Sequence, residues 1–200
     1  MNELEKMING FEYFSGDKDL EEMRNKAKDL CFDYNFLKSN QQKEKEDIIR
    51  KLFGKIGKNF GINAPFYCDY GFNIEAGDNL YINHNCVILD CAKVKFGNNV
   101  FIAPNCGFYT AGHPLDIERR NNCIEYAYPI TIGNDIWIGA NTIVIPGVTI
   151  GNGSVIGAGS VVVKDIPNNV IAFGNPCKII REITDKDKEK NLNWENINKK

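Results

Sequence analysis

The sequence predicts a mainly β fold: a left-handed parallel β-helix of hexapeptide repeats with an N-terminal α-helical segment and an extended external loop. Three observations support this fold class. Apolar residues recur every six positions along the second half of the chain, the first sixty residues have helical spacing instead, and one long stretch interrupts the six-residue period. Such a period is typical of a solenoid in which each repeat is one structural unit.

The six-residue period is unbroken over Ile132, Ile138, Val144, Ile150, Ile156 and Val162. It also occurs upstream at Ile82 and Ile88 and, after a two-residue slip, at Phe96, Ile102 and Phe108. A helix would place residues six apart on different faces, and a flat strand would not require Gly or Asn at fixed points between them. A chain that turns a corner every six residues meets both requirements, so three short strands form a triangular coil and the coils stack. A β-sandwich is the alternative, but its strands keep no fixed short period.

A second position of each repeat is also constrained. Four residues after each apolar anchor comes a small or β-branched residue, and these are Ile136, Thr142, Val148, Ser154, Ser160 and Ile166. We expect these side chains to fit the crowded corners of the coil, with Gly or Asn taking the strained turn between strands.

The N-terminal part is predicted to be helical and the C-terminal end polar. Asp17 is expected to cap the first long helix, and a second helix is expected from about residue 41 to 53, with Ser39 and Gln42 as a capping box. The predicted organisation is a helical segment over 1–56, a β-helix domain over 57–183 with the loop 109–129, and a tail over 184–200 that is frayed or weakly helical. The turn residues between 167 and 178 predict that the chain leaves the stack there and folds back along it.

Composition excludes several classes of function. The formal net charge is −2 and the basic residues are spread along the chain, so no nucleic-acid surface is predicted. No apolar run approaches the ~20 residues that a membrane-spanning helix needs. The seven cysteines form no CxxC pair, and the N-terminus lacks an apolar signal region, so we expect reduced thiols and a cytoplasmic location.

Several segments together resemble one known family. They are CDYGFNI at 68–74, IAPN at 102–105, TAGHP at 110–114, PITIGNDIWIGA at 129–140, PGVTIGNGSVIGAGSVV at 146–162, KDIP at 164–167 and GNPCKIIREI at 174–183. With the helical N-terminus, they make the chain similar to the maltose/galactoside O-acetyltransferase subgroup of the hexapeptide-repeat acyltransferases. The resemblance implies acetyl-CoA as cosubstrate, no metal, a small-molecule hydroxyl acceptor such as a sugar, and a homotrimer with active sites shared between subunits.

His113 is the candidate catalytic base. It matches the family's histidine, and it stands at the start of the only large interruption of the repeat. Moving an acetyl group from a thioester to an alcohol requires a base for the hydroxyl proton, and neutral histidine suits that role. A thioester is already activated, so direct transfer needs no covalent enzyme intermediate. A histidine with a purely local role in the loop is the alternative.

The resemblance also implies roles for residues around the reacting centre. Asn83 matches the position that stabilises the oxyanion and contacts the acceptor. Asp17, Arg24 and Asp69 match acceptor-binding positions, although a helix cap, a solvated helix residue and a turn residue are equally consistent with the sequence. Cys91 stands where galactoside-type members carry an acidic residue, which argues against a galactoside and favours a maltose- or glucose-like acceptor or some other hydroxyl compound.

Cofactor positions carry over near the C-terminal repeats. The residues that match family contacts to acetyl-CoA are Ala140, Ala158, Val163, Lys164, Lys178 and Arg181. Small residues let the pantetheine arm approach the backbone, and the three cations can meet the phosphates. Trp137 is expected to cover an apolar part of the site, or else to pack at a subunit boundary.

Three other functions stay open from the sequence. The first is an acetyltransferase of the same fold that acts on an antibiotic or an amino sugar. The second is a solenoid that binds a sugar without catalysis. The third is a zinc enzyme on the same solenoid, which would need three histidine ligands where the chain has two.

Overall fold

The computed structural model describes residues 1–188, so most of the predicted tail, residues 189–200, lies outside the described residues. Within residues 1–188 lie four α-helices, α1 (Glu3–Ile8), α2 (Lys18–Phe36), α3 (Gln42–Leu52) and α4 (Ile117–Asn121). A 3₁₀ turn, Asp185–Lys188, ends the described chain. None of the helices within residues 1–188 is long and apolar enough to cross a bilayer.

The part of the chain that the structure describes also contains nineteen strands, most of two to four residues. In chain order they are β1 (Tyr13–Phe14), β2 (Gly61–Ile62), β3 (Phe66–Cys68), β4 (Ile74–Ala76), β5 (Leu80–Ile82), β6 (Cys86–Leu89), β7 (Val94–Phe96), β8 (Val100–Ile102), β9 (Gly107–Tyr109), β10 (Ala111–Gly112), β11 (Ile124–Ala127), β12 (Ile130–Ile132), β13 (Ile136–Ile138), β14 (Ile143–Val144), β15 (Thr149–Ile150), β16 (Val155–Ile156), β17 (Val161–Val162), β18 (Val170–Phe173) and β19 (Lys178–Glu182).

The strands form the three walls of a prism. The four-stranded sheet has the order β15-β12-β7-β4, the seven-stranded sheet β19-β18-β16-β13-β8-β5-β2, and the five-stranded sheet β17-β14-β9-β6-β3. Every pair within these walls is parallel except β18 with β19. The predicted parallel β-helix of hexapeptide repeats, with helices before it, is therefore confirmed.

The predicted anchors form the core of the prism. Ile132, Ile138, Val144, Ile150, Ile156 and Val162 are all at most 1% exposed. The small residues fit the corners as expected, since the hydroxyls of Thr142 and Ser154 donate to the carbonyls of Gly139 and Pro167, both at 2.7 Å. Each coil therefore buries apolar side chains while its corner hydroxyls satisfy backbone carbonyls.

Helix α2 closes the first coil of the prism. Its cap is Asp17, as predicted, whose carboxylate accepts from the amides of Asp19 and Leu20. Tyr34 donates to the carbonyl of Ile62, and the side-chain amide of Asn35 bonds both backbone groups of Phe66, at 2.8 and 3.0 Å. The helix thus satisfies the open edges of β2 and β3, which would otherwise present unpaired backbone groups.

One local prediction is wrong and another is confirmed late in its range. The capping box at Ser39 does not form, because Gln41 is the cap residue of α3 without a side-chain cap bond, and Gln42 donates instead to the Ser39 carbonyl at 2.6 Å. The predicted fold-back between residues 167 and 178 does occur, but it follows one more strand of the stack, since β18 pairs in parallel with β16. The fold-back begins only after Gly174, whose φ of 108° reverses the chain into the antiparallel β19.

Candidate active site

The loop 109–129 leaves the prism at the corner between the five-stranded and four-stranded sheets, which we call the loop corner. The loop is ordered: β10 and β11 pair antiparallel, α4 lies between them, and β1 adds to β11 to complete a three-stranded sheet. In that sheet Tyr13 pairs with Glu125 and Ala111 with Ala127. The N-terminal segment therefore fastens the loop to the body of the protein.

His113 directly follows β10, and its side chain is half exposed. Its Nδ1 lies 3.4 Å from the carbonyl oxygen of Ile124. A carbonyl can only accept a hydrogen bond, so this contact favours the tautomer of the neutral imidazole that carries its proton on Nδ1 and its lone pair on Nε2. Nε2 faces the carboxylate of Glu125, with 4.0 Å between Nε2 and Oε1.

Glu125 and Tyr13 are site residues that the sequence reasoning missed. The Tyr13 hydroxyl donates to Oε2 of Glu125 at 2.6 Å, and Tyr13 is 1% exposed. Burial raises the pKa of the Tyr13 hydroxyl far above its ordinary value, so it remains a donor. The sequence signal that could have indicated Glu125 is its carboxylate within the otherwise apolar run IEYA, in the same loop 109–129 that carries His113.

The candidate acceptor residues surround the base of this loop. Asp69 lies at the loop corner, and its pKa is raised, chiefly because of burial. The thiol of Cys91 lies 3.5 Å from Oδ2 of Asp69. Arg24 donates to the Tyr70 hydroxyl at 2.7 Å and to the Ser15 carbonyl at 2.8 Å. Arg24 therefore ties α2 and the chain before it to this corner.

Asp17 is occupied as the cap of α2 and makes no other side-chain bond within residues 1–188. Beneath Asp69 and Arg24 lies a small second core that joins the N-terminal segment, the loop and the loop corner, formed by Met7, Tyr13, Leu20, Tyr70, Cys91, Ala92 and Ala127. This packing makes the helical segment part of the wall around His113.

Asn83 lies at a different corner, between the seven-stranded and five-stranded sheets, which we call the Asn83 corner. Its Oδ1 accepts from the amide of His84 at 2.8 Å, so its Nδ2 remains as a donor. Ala140 and Ala158 lie at this same corner in later coils, where the amide of Gly159 donates to the Ala140 carbonyl at 2.8 Å. Asn83 and these two small residues therefore follow one edge of the prism.

The other cofactor candidates are divided between two places. Val163 and Lys164 follow β17 at the loop corner, and Lys164 is exposed. Lys178 and Arg181 are exposed on β19. Arg181 forms a bidentate pair with Asp187, at 2.7 and 2.8 Å, so its charge is partly balanced within the chain. The pair raises the pKa of Arg181 and lowers that of Asp187.

The structure thus places His113 and Asp69 along one edge of the prism, and Asn83 and Ala140 along another edge. No hydrogen bond joins Asn83 to His113 within the described chain. The five-stranded sheet separates the two corners, and its outward positions are apolar: Tyr67, Val87, Gly107, Ile143 and Val161. The four-stranded sheet instead presents Glu75, Lys95, Thr131 and Thr149.

The two histidines are also separated. His84 belongs to the Asn83 corner, where its Nδ1 contacts the Ala64 carbonyl, and His113 belongs to the loop corner. Within residues 1–188, no three His, Cys, Asp or Glu side chains come together as a possible metal site. Trp137 lies on the outer face of the seven-stranded sheet, 57% exposed, in register with Phe101.

Comparisons with known proteins agree with this arrangement. Residues 6–57 match the maltose acetyltransferase hexapeptide capping motif, and residues 129–164 match the bacterial transferase hexapeptide (six repeats). A Saccharomyces cerevisiae protein named as an acetyltransferase is 55% identical over 188 residues, which cover 94% of this chain and 96% of that protein.

Two solved structures share the whole architecture. A maltose O-acetyltransferase from Clostridium difficile 630 superposes with a TM-score of 0.91 and 45% identity, covering 92% of this chain and 99% of the other. A galactoside acetyltransferase in complex with coenzyme A gives a TM-score of 0.92 and 42% identity, covering 97% of both chains.

The prism, its looped-out histidine and the helical cap define a hexapeptide-repeat acetyltransferase. Within that class, the chain belongs to the family that contains the maltose and galactoside O-acetyltransferases.

Proposed function

We propose that the protein transfers the acetyl group of acetyl-CoA to a hydroxyl of a sugar, with His113 as the general base. The observation that carries this proposal is the Nδ1 contact with the Ile124 carbonyl, which leaves the lone pair on Nε2 in a half-exposed position. A second support is the galactoside relative, whose structure is a complex with coenzyme A.

The chemistry follows from these groups in one direct transfer. Nε2 takes the proton of the acceptor hydroxyl while its oxygen attacks the thioester carbonyl, and the C–S bond then breaks. The imidazolium returns its proton to the coenzyme A thiolate, so charges and atoms balance. The Nδ2 of Asn83 is a suitable donor to the oxyanion of the tetrahedral intermediate, since its Oδ1 is already held by the His84 amide.

This mechanism needs a second subunit, because one chain keeps Asn83 and His113 on separate corners. A trimer whose five-stranded sheets face a common axis buries their apolar outward residues. Around such an axis, the Asn83 corner of one subunit meets the loop corner of the next. Each of the three active sites is then shared, with His113 from one subunit and Asn83 from its neighbour.

The groove between these two corners is the proposed binding site for acetyl-CoA. Ala140 and Ala158 carry only a methyl group each, so a pantetheine arm could approach the backbone at the Asn83 corner. The exposed Lys164 and Lys178 supply charge for the phosphates, with Arg181 released from Asp187 to join them. Val163 and Trp137 offer apolar surface along the same groove.

The acceptor is proposed to be a maltose- or glucose-like sugar, bound near Asp69 and Arg24 with Asp17 holding α2 in place. Cys91 at the loop corner replaces a charge that a galactoside-type site carries. An amino sugar or an antibiotic is the second candidate acceptor. The proposed location is the cytoplasm, for which the seven cysteines with no predicted pairing are the support.

The test is an acceptor panel with acetyl-CoA, measured as release of free thiol. It contains methyl α-glucopyranoside, maltose, methyl β-galactopyranoside, glucosamine and an aminoglycoside. We expect the glucosides to be acetylated fastest and His113→Ala to lower kcat by about 100-fold or more, since general-base catalysis contributes that much. His84→Ala, which removes the other imidazole, serves as the matched control. Full turnover by His113→Ala with an intact fold would exclude the proposed base.

A further inference from the structure

The space between His113 and Glu125 has a defined hydrogen-bonding character. Nε2 of the neutral imidazole and Oε1 of the carboxylate are both acceptors, and they are 4.0 Å apart. Two acceptors cannot bond each other, so each requires a donor from elsewhere. Within residues 1–188, no side chain or backbone amide donates to Oε1.

Tyr13 determines which oxygen of Glu125 is left for a ligand. Its hydroxyl donates to Oε2 at 2.6 Å from a nearly fully buried position. The backbone pairing of Tyr13 with Glu125 in the β1–β11 ladder fixes the same contact from the main chain. With Oε2 engaged, Oε1 is held toward the imidazole.

We propose that Glu125, positioned by Tyr13, determines acceptor specificity by binding a second hydroxyl of the sugar beside the one that His113 deprotonates. This inference rests on the proposed function and adds the substrate class: a polyol whose second hydroxyl lies about 2.8 Å from the reacting oxygen, a normal O–H···O distance. One hydroxyl donates to Nε2 and the other to Oε1. Two hydroxyls at that spacing are compatible with the 4.0 Å between the protein atoms.

An amine acceptor is the competing occupant, and the charge of the site disfavours it. A single amino group could reach both atoms, but a carboxylate beside an amine stabilises its ammonium form. The ammonium nitrogen has no lone pair and cannot attack a thioester. A hydroxyl stays neutral in the same position, so the carboxylate orients it without blocking its reaction.

The experiment combines enzyme variants with substrate analogues. The sugar that the acceptor panel ranks first is compared with its monodeoxy analogues, using acetyl-CoA and the full chain, and kcat/KM is measured for each. In the wild type, one analogue besides that lacking the acetylated hydroxyl should lose ~10-fold or more, the value of a hydrogen bond to a charged group. In Glu125→Gln the same deletion should cost about 3-fold, as for a neutral partner.

Two further variants separate positioning from folding. Tyr13→Phe keeps the buried ring and removes the donor to Oε2, so the deoxy effect should fall between those of the wild type and Glu125→Gln. Glu118→Gln removes a carboxylate from the exposed helix α4 of the same loop, and it should keep the full wild-type discrimination.

The inference is overturned if all single deletions besides that of the reacting hydroxyl are equivalent in the wild type, or if Glu125→Gln keeps the same discrimination. It is also overturned if an amine proves the preferred acceptor, or if Glu125→Gln lowers all substrates equally. In each of these cases, loss of activity in His113→Ala would still support the proposed acetyl transfer with His113 as the base. Absence of acetyl transfer to every sugar overturns both proposals.

Discussion

Asp90 is a fully buried carboxylate at the loop corner. Its side chain accepts from the amides of Asp69, Tyr70 and Asn73, at 3.1, 2.8 and 3.3 Å. The Asn73 side chain donates in turn to the Asp90 carbonyl at 2.8 Å. These bonds shape the turn that presents Asp69. Burial raises the pKa of Asp90 to about 6, above its ordinary value of 3.8.

This raised pKa predicts a pH-dependent stability. The folded state binds the Asp90 proton more tightly than the unfolded state, so the contribution of this group is present at low pH and lost as pH rises through 6. Between pH 4.5 and 7, Asp90 should lower the free energy of unfolding by about 2 kcal/mol.

Urea unfolding at the two pH values measures this effect. Other acidic groups also titrate, so the wild type is compared with Asp90→Asn, in which this fall should be absent. Asp29→Asn on the exposed face of α2 should follow the wild type. Parallel pH dependence in all three proteins would contradict the assignment.

Side chains of α2 satisfy the first edge of the solenoid. Asn35 is half-buried, and its amide bonds both the N–H and the carbonyl of Phe66, as a neighbouring strand would. Helices alone are poor covers for a sheet edge, because their own backbone groups are already paired. The side-chain amide of Asn35 supplies the hydrogen-bonding groups that the helix backbone cannot offer to the sheet edge.

Replacement of this amide should destabilise the protein. Asn35→Ala leaves the two backbone groups of Phe66 without partners, which should lower the free energy of unfolding by about 2–3 kcal/mol. Denaturant unfolding measures the change. Asn40→Ala, an exposed substitution after α2, should stay within about 0.5 kcal/mol of the wild type. Equal stability of both variants would mean that Asn35 does not cap the edge.

Among the secondary-structure elements, the repeated coils of the β-helix were easier to predict from the sequence than the individual turns and strand pairings. The anchors were predictable because each coil repeats the same burial, and Asp17 because a helix cap is a local signal. The fold-back lies within the predicted range of 167–178, but the sequence did not show which turn in that range reverses the chain. Asn168-Asn169 forms an ordinary corner, where Asn169 has the same left-handed φ, near 55°, as Asn141 and Asn99. The pairing of Tyr13 with Glu125 was not predictable, because it depends on the register of strands distant in sequence.

The three walls of the prism differ on their outer faces, and this difference concerns the assembly. The five-stranded wall presents an apolar row that includes Ile143, whereas the four-stranded wall presents charged and hydroxyl side chains. A subunit interface of a homo-oligomer is more apolar than the rest of the surface. The seven-stranded wall also presents apolar side chains, among them Phe101 and Trp137. The five-stranded wall is the one that lies between the Asn83 corner and the loop corner, so the proposed trimer uses it.

A charge on that wall should disrupt the trimer. Ile143→Asp places a carboxylate in the buried interface, so we expect monomers and a loss of activity with an unchanged far-UV circular dichroism spectrum. Light scattering coupled to size-exclusion chromatography gives the mass. Thr131→Asp makes a similar change at the centre of the four-stranded wall and should remain trimeric and active. A monomeric wild type would reject the assembly altogether.

Mixed trimers test whether the sites are shared. His113→Ala and Asn83→Ala are each expected to be inactive, but a mixed trimer contains one interface that joins the intact His113 to the intact Asn83. Refolding the two variants together in equal amounts should restore about a quarter of the wild-type activity, for random assembly of a closed three-membered ring. Two copies of one variant mixed in the same way serve as the control. No recovery would place both groups in a single chain.

The parallel pairing of the prism strands continues without a break in register across the inserted loop. Strand β12, the first after the loop, pairs in parallel with β7 before the loop, with Ile130 opposite Val94. It also pairs in parallel with β15 in the next coil, with Ile132 opposite Ile150. The stacked walls therefore impose no length or composition on what projects from that corner; the constraints come from its two anchoring ends and from its pairing with β1. A loop of different length that kept these contacts would change the surroundings of His113 and Glu125, and with them the proposed acceptor preference, while leaving the scaffold and the proposed groove for the acetyl donor unchanged.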